Sequence, residues 1–212
     1  MIEDAAMIDR RTFSKSLVTA AGLSALSPAT SWAAGGGDEP AVDDDGIYTQ
    51  DWFNHSSFLV LSEDVEEAAS EGKRMAILFE QKGCPYCREL HRVNLAKQEI
   101  RDYVKSNFTV LQLNIWGSKT VTDFDGEELE ERALAKKWRV HYTPTIVFLD
   151  SKPGENVIKT EVVRMPGYFK PFHFVTMFEY VKEEAYKDQQ FQRFLQARFE
   201  ELEKQGKKPE IW

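Results

Sequence analysis

Cysteine is nearly missing from these 212 residues: there are two, and both stand in Cys84-Pro85-Tyr86-Cys87. A framework of structural disulfides is excluded, because no other cysteine is there to build it. Long apolar runs are missing as well. The stretch from Leu17 to Leu26 falls short of the roughly 20 residues that a membrane-spanning helix needs. A basic excess is also absent, with 27 Lys and Arg against 35 Asp and Glu and a net charge of -8. Nucleic acid and anionic membrane are therefore not expected as partners, since a phosphate backbone is held by basic patches. What is present, 42% hydrophobic and 12% aromatic residues, suffices for the core of one ordinary domain with extras.

Residues 1–33 read as an export signal. Asp9-Arg10-Arg11-Thr12-Phe13-Ser14-Lys15 precedes the apolar run, and small residues close it at Ser31-Trp32-Ala33. Paired arginines followed by Phe and Lys resemble the twin-arginine signal, which a receptor reads and which does not anchor the chain; Ser14 stands where leucine is usual. A periplasmic location follows as an expectation, with no stable membrane insertion once the signal is removed. Residues 34–55, which contain Gly35–Gly46 (GGGDEPAVDDDG), read as an acidic flexible linker.

Beyond it helices and strands alternate. Ser62 offers an N-cap, followed by acids, for a helix through Ala69 that Gly72 stops. Met75–Phe79 suits a buried strand, and a helix opens at the cysteine motif and runs through Leu90 and Val93. Ile100, Tyr103 and Val104 share a helical face, Phe108–Trp116 is strand-like, and a loop over Gly117–Gly126 leads to a helix carrying Leu129, Ala133 and Trp138. Thr145–Leu149 and Val157–Arg164 read as two strands joined through the turn Lys152-Pro153-Gly154. Pro171 opens a helix with Phe174, Phe178 and Val181 on its apolar side. Phe191, Phe194, Leu195, Phe199 and Leu202 mark one more helix, packed on its own domain or offered to a partner. The order points to an α/β fold, a mixed sheet covered on both faces.

Three separated signals in this order resemble the thioredoxin family. They are strand–Cys84-Pro85-Tyr86-Cys87–helix, the stretch from Ala135 through Tyr142-Thr143-Pro144-Thr145 into a strand, and Arg164-Met165-Pro166-Gly167-Tyr168 after the last strand. The likeness spans residues 56–185, leaving 186–212 as a C-terminal helix and tail. It implies a central four-stranded mixed sheet with helices on both faces, to which the helical spacing from Phe191 to Leu202 adds a C-terminal helical extension. Within the family, Glu80-Gln81-Lys82-Gly83 and Asn114-Ile115-Trp116-Gly117 look most like SoxW, the periplasmic branch of sulfur-oxidation systems.

A cysteine at a helix N-terminus sits beside unpaired N–H groups and the positive dipole end, which favours its thiolate. Cys84 has that position and is expected to attack, partly exposed; Cys87, one turn on, resolves the mixed disulfide. Pro85 pre-sets the first turn, and Tyr86 is expected to cover the site. The resemblance implies a cis Pro144 against the cysteines, with the Thr143 backbone free to pair with an extended substrate, and a Gly167 turn facing them. The family's buried acid six residues before the first cysteine is replaced by Leu78. Glu80, two residues on, faces the same side by strand alternation and is either a displaced proton acceptor for Cys87, with Lys82 modifying its charge, or a solvated strand-end residue. His91 is either an exposed helical histidine or, with Cys84 and Cys87, a three-ligand metal site.

The leading expectation is a periplasmic thiol–disulfide oxidoreductase with no cofactor besides its own cysteine pair. It reduces disulfides of exported client proteins, sulfur-oxidation carriers among them, and is recharged by a membrane thiol donor of the CcdA type. Alternatives are a disulfide-forming oxidase and a non-enzymatic copper chaperone using Cys84, Cys87 and His91.

Overall fold

Strand β1 (Arg74–Glu80) is buried along its whole length, and its alternation decides which helix each side chain meets. Ala76 and Leu78 face one apolar cluster, Met75, Ile77 and Phe79 the other. The computed structural model describes residues 39–207; the expected export signal lies outside them. β1 pairs in parallel with β2 (Phe108–Asn114) and antiparallel with β5 (Thr145–Leu149), which pairs antiparallel with β6 (Glu161–Pro166). The result is the expected mixed four-stranded sheet, in the order β2-β1-β5-β6.

Helices cover both faces. Helix α1 (Leu61–Ser70) buries Leu61, Val65 and Ala68 against Met75, Ile77 and Phe79, together with Leu134 and Trp138 from α4 (Glu131–Lys137) and its end. On the other face lie α2 (Pro85–Glu89), α3 (Gln98–Asn107) and α6 (Pro171–Lys182). Phe178 is central there, edge-on to Phe108 and Phe148 with ring centroids 4.8 Å away in both cases. Such contacts add to the large apolar area that each ring buries. The C-terminal α7 (Phe191–Lys204) packs on its own domain: Phe194 inserts beside Tyr180 at 5.3 Å, and Arg198 reaches Glu179 and Glu183. No helix among the described residues is long and apolar enough to cross a membrane.

The first helix starts earlier than expected, with Val60 and not Ser62 in the N-cap position, and four further local expectations change. Leu129 is not helical: it lies in β4 (Glu128–Glu130), which pairs with β3 (Thr120–Thr122), and α4 starts only afterwards. Lys137 holds this hairpin by bonding Asp123, Asp125 and Glu127, and Trp138, just past α4, donates its indole N–H to Asp123. Val157–Thr160 forms a helical turn, α5, and not the start of β6. The Asn156 side chain caps the Lys159 N–H, and the Thr160 hydroxyl bonds back to Asn156, so local polar bonds override β-propensity. Past Glu89 the cysteine helix widens into a π turn, Leu90–Asn94, closed by the Leu95 N–H on the Leu90 carbonyl. Finally, the expected flexible linker is laid on the domain from Glu39 onward. Val42 bridges Tyr48, Ile47 and Phe53 are buried, and Asp45 pairs with Lys119. We call residues 39–55 the strap.

Candidate active site

Cys84 is the N-cap residue of α2, with Pro85 in the first helical position. The backbone N–H of Cys87 points at Cys84 Sγ at 3.0 Å, so the sulfur occupies the place of a capping oxygen. Gly83 precedes it at φ +71°, a left-handed turn that other residues adopt only with strain, and this turns the chain from β1 into the helix. The cysteines are joined as a disulfide, their Cα atoms 5.2 Å apart.

The peptide between Thr143 and Pro144 is cis. Thr143 lies over the first sulfur, its hydroxyl 3.4 Å and its carbonyl oxygen 3.6 Å from Cys84 Sγ. Gly167, at φ +89°, donates its N–H to the Pro144 carbonyl at 2.7 Å, which brings the third motif against the second. One expectation about exposure reverses. Cys84 is only 3% exposed in this oxidised state, with the Thr143 hydroxyl and carbonyl against its sulfur. Tyr86, two residues past Cys84, is 61% exposed.

Glu80 is fully buried at the end of β1, not solvated. Its Oε2 accepts from His91 Nε2 at 3.0 Å and from the amide of Gln112, while Oε1, equally buried, has no hydrogen-bond partner. His91 is buried as well, one turn beyond Cys87 on the same inward face. Both its ring nitrogens are engaged, Nε2 by Glu80 and Nδ1 by Gln50 at 3.0 Å. The structure therefore does not offer His91 as a metal ligand, and among the described residues no three His, Cys, Asp or Glu side chains cluster with metal-holding geometry. Lys82 is exposed, its stem against Gly46 of the strap.

The strap was not legible as part of the site. Besides Gln50 it supplies the Tyr48 carbonyl, which accepts from Gln112 at 2.6 Å, and Glu39, which bonds Arg88 on α2 at 2.6 Å. That bond holds the Glu39 carboxyl below its usual range. The π turn contributes Asn94, which donates to the Phe169 carbonyl at 2.8 Å and accepts from Tyr168. The available signal was the pair of apolar clusters Ile47-Tyr48 and Trp52-Phe53 within an acid-rich stretch.

The sequence profile of the Thioredoxin-like domain matches residues 61–182, more than half of the chain, and the protein belongs to that family. Its fold carries a Cys84–Cys87 disulfide in a Cys-x-x-Cys motif, consistent with thiol–disulfide oxidoreductase activity. Among solved structures it is similar to a thioredoxin-fold protein from Helicobacter pylori, with 28% identity over 61% of this chain and 81% of that one, at a TM-score of 0.46. A thioredoxin from Thermus thermophilus shares 24% identity over 57% and 83% of the two chains, at a TM-score of 0.45. The C-terminal domain of DsbD from Neisseria meningitidis shares 16% over 56% and 90%, at 0.39. A search of curated proteins found no match.

Proposed function

We propose that the protein is an exported protein-disulfide reductase of the SoxW type. The observation that carries this reading is a redox pair at a helix N-terminus together with the buried Glu80 carboxylate that ends the preceding strand, one of whose oxygens is unpaired. In the reduced protein the Cys84 thiolate attacks one sulfur of a client disulfide, forming a mixed disulfide and releasing one client thiolate. Cys87 S–H passes its proton to Glu80 Oε1, and the resulting thiolate attacks Cys84 Sγ. The second client sulfur leaves as a thiolate and takes up a proton. Two electrons have moved from the cysteine pair to the client, and the protein is left in the disulfide state.

Thr143 lies against the sulfur that a client strand would approach, Gly167 is bonded to Pro144 beside it, and Pro85 and exposed Tyr86, next in the chain after Cys84, would meet the client as well. An extended client segment would pair with the Thr143 backbone, its main-chain bonds giving affinity with little sequence demand. Recharging needs two electrons from a thiol donor, for which a membrane dithiol carrier of the CcdA type is the partner class in the periplasm. Exported proteins, including sulfur-oxidation carriers with a mobile cysteine, are the clients.

The same residues would serve a disulfide-forming oxidase, and the reduction potential separates the two. Equilibration in graded thiol buffers with alkylation of free thiols should give a value near or below about -220 mV. A value near about -120 mV would overturn the reductase reading and make the protein a disulfide donor.

A further inference from the structure

The hydrogen-bond chain behind Glu80 has a direction, set by groups that can act only one way. The Trp52 indole N–H is a donor only, and it points at Gln50 Oε1 at 3.3 Å. This fixes the Gln50 amide with its NH₂ toward His91 Nδ1 at 3.0 Å, so Nδ1 must accept. The ring proton is then on Nε2, which donates to Glu80 Oε2 at 3.0 Å. Gln112 is fixed in the same manner, because its NH₂ lies between two acceptor-only groups, the Tyr48 carbonyl and Glu80 Oε2. Oε2 is thus filled by two N–H donors and Oε1 is left bare and buried.

We propose that Trp52 and Gln50 of the strap are positioning residues that hold His91 as its neutral Nε2–H tautomer, so that Glu80 keeps Oε1 for the proton of Cys87. The inference rests on the reading of Glu80 as proton acceptor and adds what sets that acceptor. Were His91 to carry a proton on Nδ1 as well, Glu80 Oε2 would face a full cation at 3.0 Å that competes with Cys87 for the carboxylate. Gln50 opposes this by presenting a donor to Nδ1, and Trp52 opposes the amide flip that would present an acceptor. The other ionisable groups nearby do not replace this control. Tyr48 faces His91 with ring centroids 6.1 Å apart, Arg88 is bound to Glu39, Lys82 points outward along Gly46, and Glu131 is bonded to the Asn114 and Lys119 backbone.

Two measurements on the full-length protein test it. Long-range proton–nitrogen NMR of the imidazoles, with His91→Gln used for assignment, should show the His91 proton on Nε2 and a bare Nδ1 at pH 7. A proton on Nδ1 would overturn the proposal, whatever the strap variants do. In a Cys84→Ser background, the pH midpoint of Cys87 alkylation should fall by about one pH unit in Trp52→Phe, which frees the amide to flip, and by less in Gln50→Leu, which removes the donor without supplying an acceptor. Trp52→Phe should also show a Nδ1 proton on His91, bonded to the flipped Gln50 oxygen. His91→Gln, which still offers Glu80 an N–H, should restore a near-native midpoint when combined with Gln50→Leu. If Glu80→Gln moves the midpoint but folded Gln50→Leu and Trp52→Phe do not, this inference fails alone. If Glu80→Gln does not move it, the reading of Glu80 itself fails.

Discussion

Glu80 and His91 meet at 3.0 Å with no solvent contact on either side chain, and Glu80 Oε1 is left without a partner. A buried carboxylate that is only half satisfied costs stability, about 1–3 kcal/mol for an unmet polar group and more for a charged one. Such a group is retained where it does chemistry. Glu80→Gln keeps the shape and removes both the charge and the basic oxygen. It should therefore lower disulfide-reductase turnover at pH 7 by about 10²-fold, the lower end of general acid–base effects. It should also raise the melting temperature, because a neutral group replaces a buried charge. Turnover and thermal melting on one preparation check both, and unchanged turnover would remove Glu80 from the mechanism.

Cys87→Ser tests the order of events at the pair. Cys84 caps α2 and touches Thr143, and Cys87 is fully buried; the proposed mechanism assigns the client-facing role to the first sulfur. The variant should form a mixed disulfide through Cys84 that persists until an external thiol is added, visible as an adduct by mass spectrometry. Multiple turnover should drop to background. An adduct carried by Cys87 in the Cys84→Ser variant would reverse the assignment of roles.

The strands and the cysteine motif were legible because their information is local. Met75–Phe79 is a continuous apolar run, and Cys84-Pro85 is itself a helix start. The elements that were not legible are held by distant partners. The β3–β4 hairpin depends on Lys137 reaching Asp123, Asp125 and Glu127 from the far end of α4. The strap looks like an acidic linker until Gln112, Lys119 and Arg88, contributed by three later segments, are in place to receive it. His91 reads as a surface histidine for the same reason: its cover is Gln50 and Phe53, whose ring centroid is 5.8 Å away, some forty residues earlier. Strand alternation alone puts Glu80 on the correct side of β1, but its burial follows from that cover and not from its own neighbours.

Thr143 places a neutral hydroxyl against the sulfur to which the proposed mechanism assigns the thiolate. Its hydroxyl lies 3.4 Å from Cys84 Sγ, and on reduction it can donate to the charged sulfur. A bond of about 1 kcal/mol corresponds to about 0.7 pH unit in the titration of the thiol. Thr143→Val should raise the pH midpoint of Cys84 alkylation in the reduced protein by roughly that amount, with little effect on melting temperature. A midpoint that stays in place would mean that the helix N-terminus alone stabilises the thiolate.

Glu131 gives a prediction that is separate from the redox chemistry. It is 2% exposed, and its two oxygens accept the backbone N–H groups of Asn114 at 2.9 Å and Lys119 at 3.3 Å, tying the segment after β2 to α4. Gly117 leaves the room for this, since a Cβ there would lie 1.9 Å from Glu131 Oε2. Burial pushes the carboxyl above its ordinary value of 4.5, and the two N–H bonds offset this only in part. The folded chain therefore keeps this proton to higher pH than the unfolded chain does. Stability drawn from it is fully present below about pH 4.5 and is lost as pH rises through the folded value. Glu131→Gln carries no such proton. The wild-type advantage in unfolding free energy over Glu131→Gln should accordingly shrink as pH rises from about 4.5, then level off. Denaturant unfolding of both proteins across this range is the check. An advantage that grows with pH would mean that the Asn114 and Lys119 N–H groups outweigh burial and hold the carboxylate charged, which would make this contact a source of acid sensitivity.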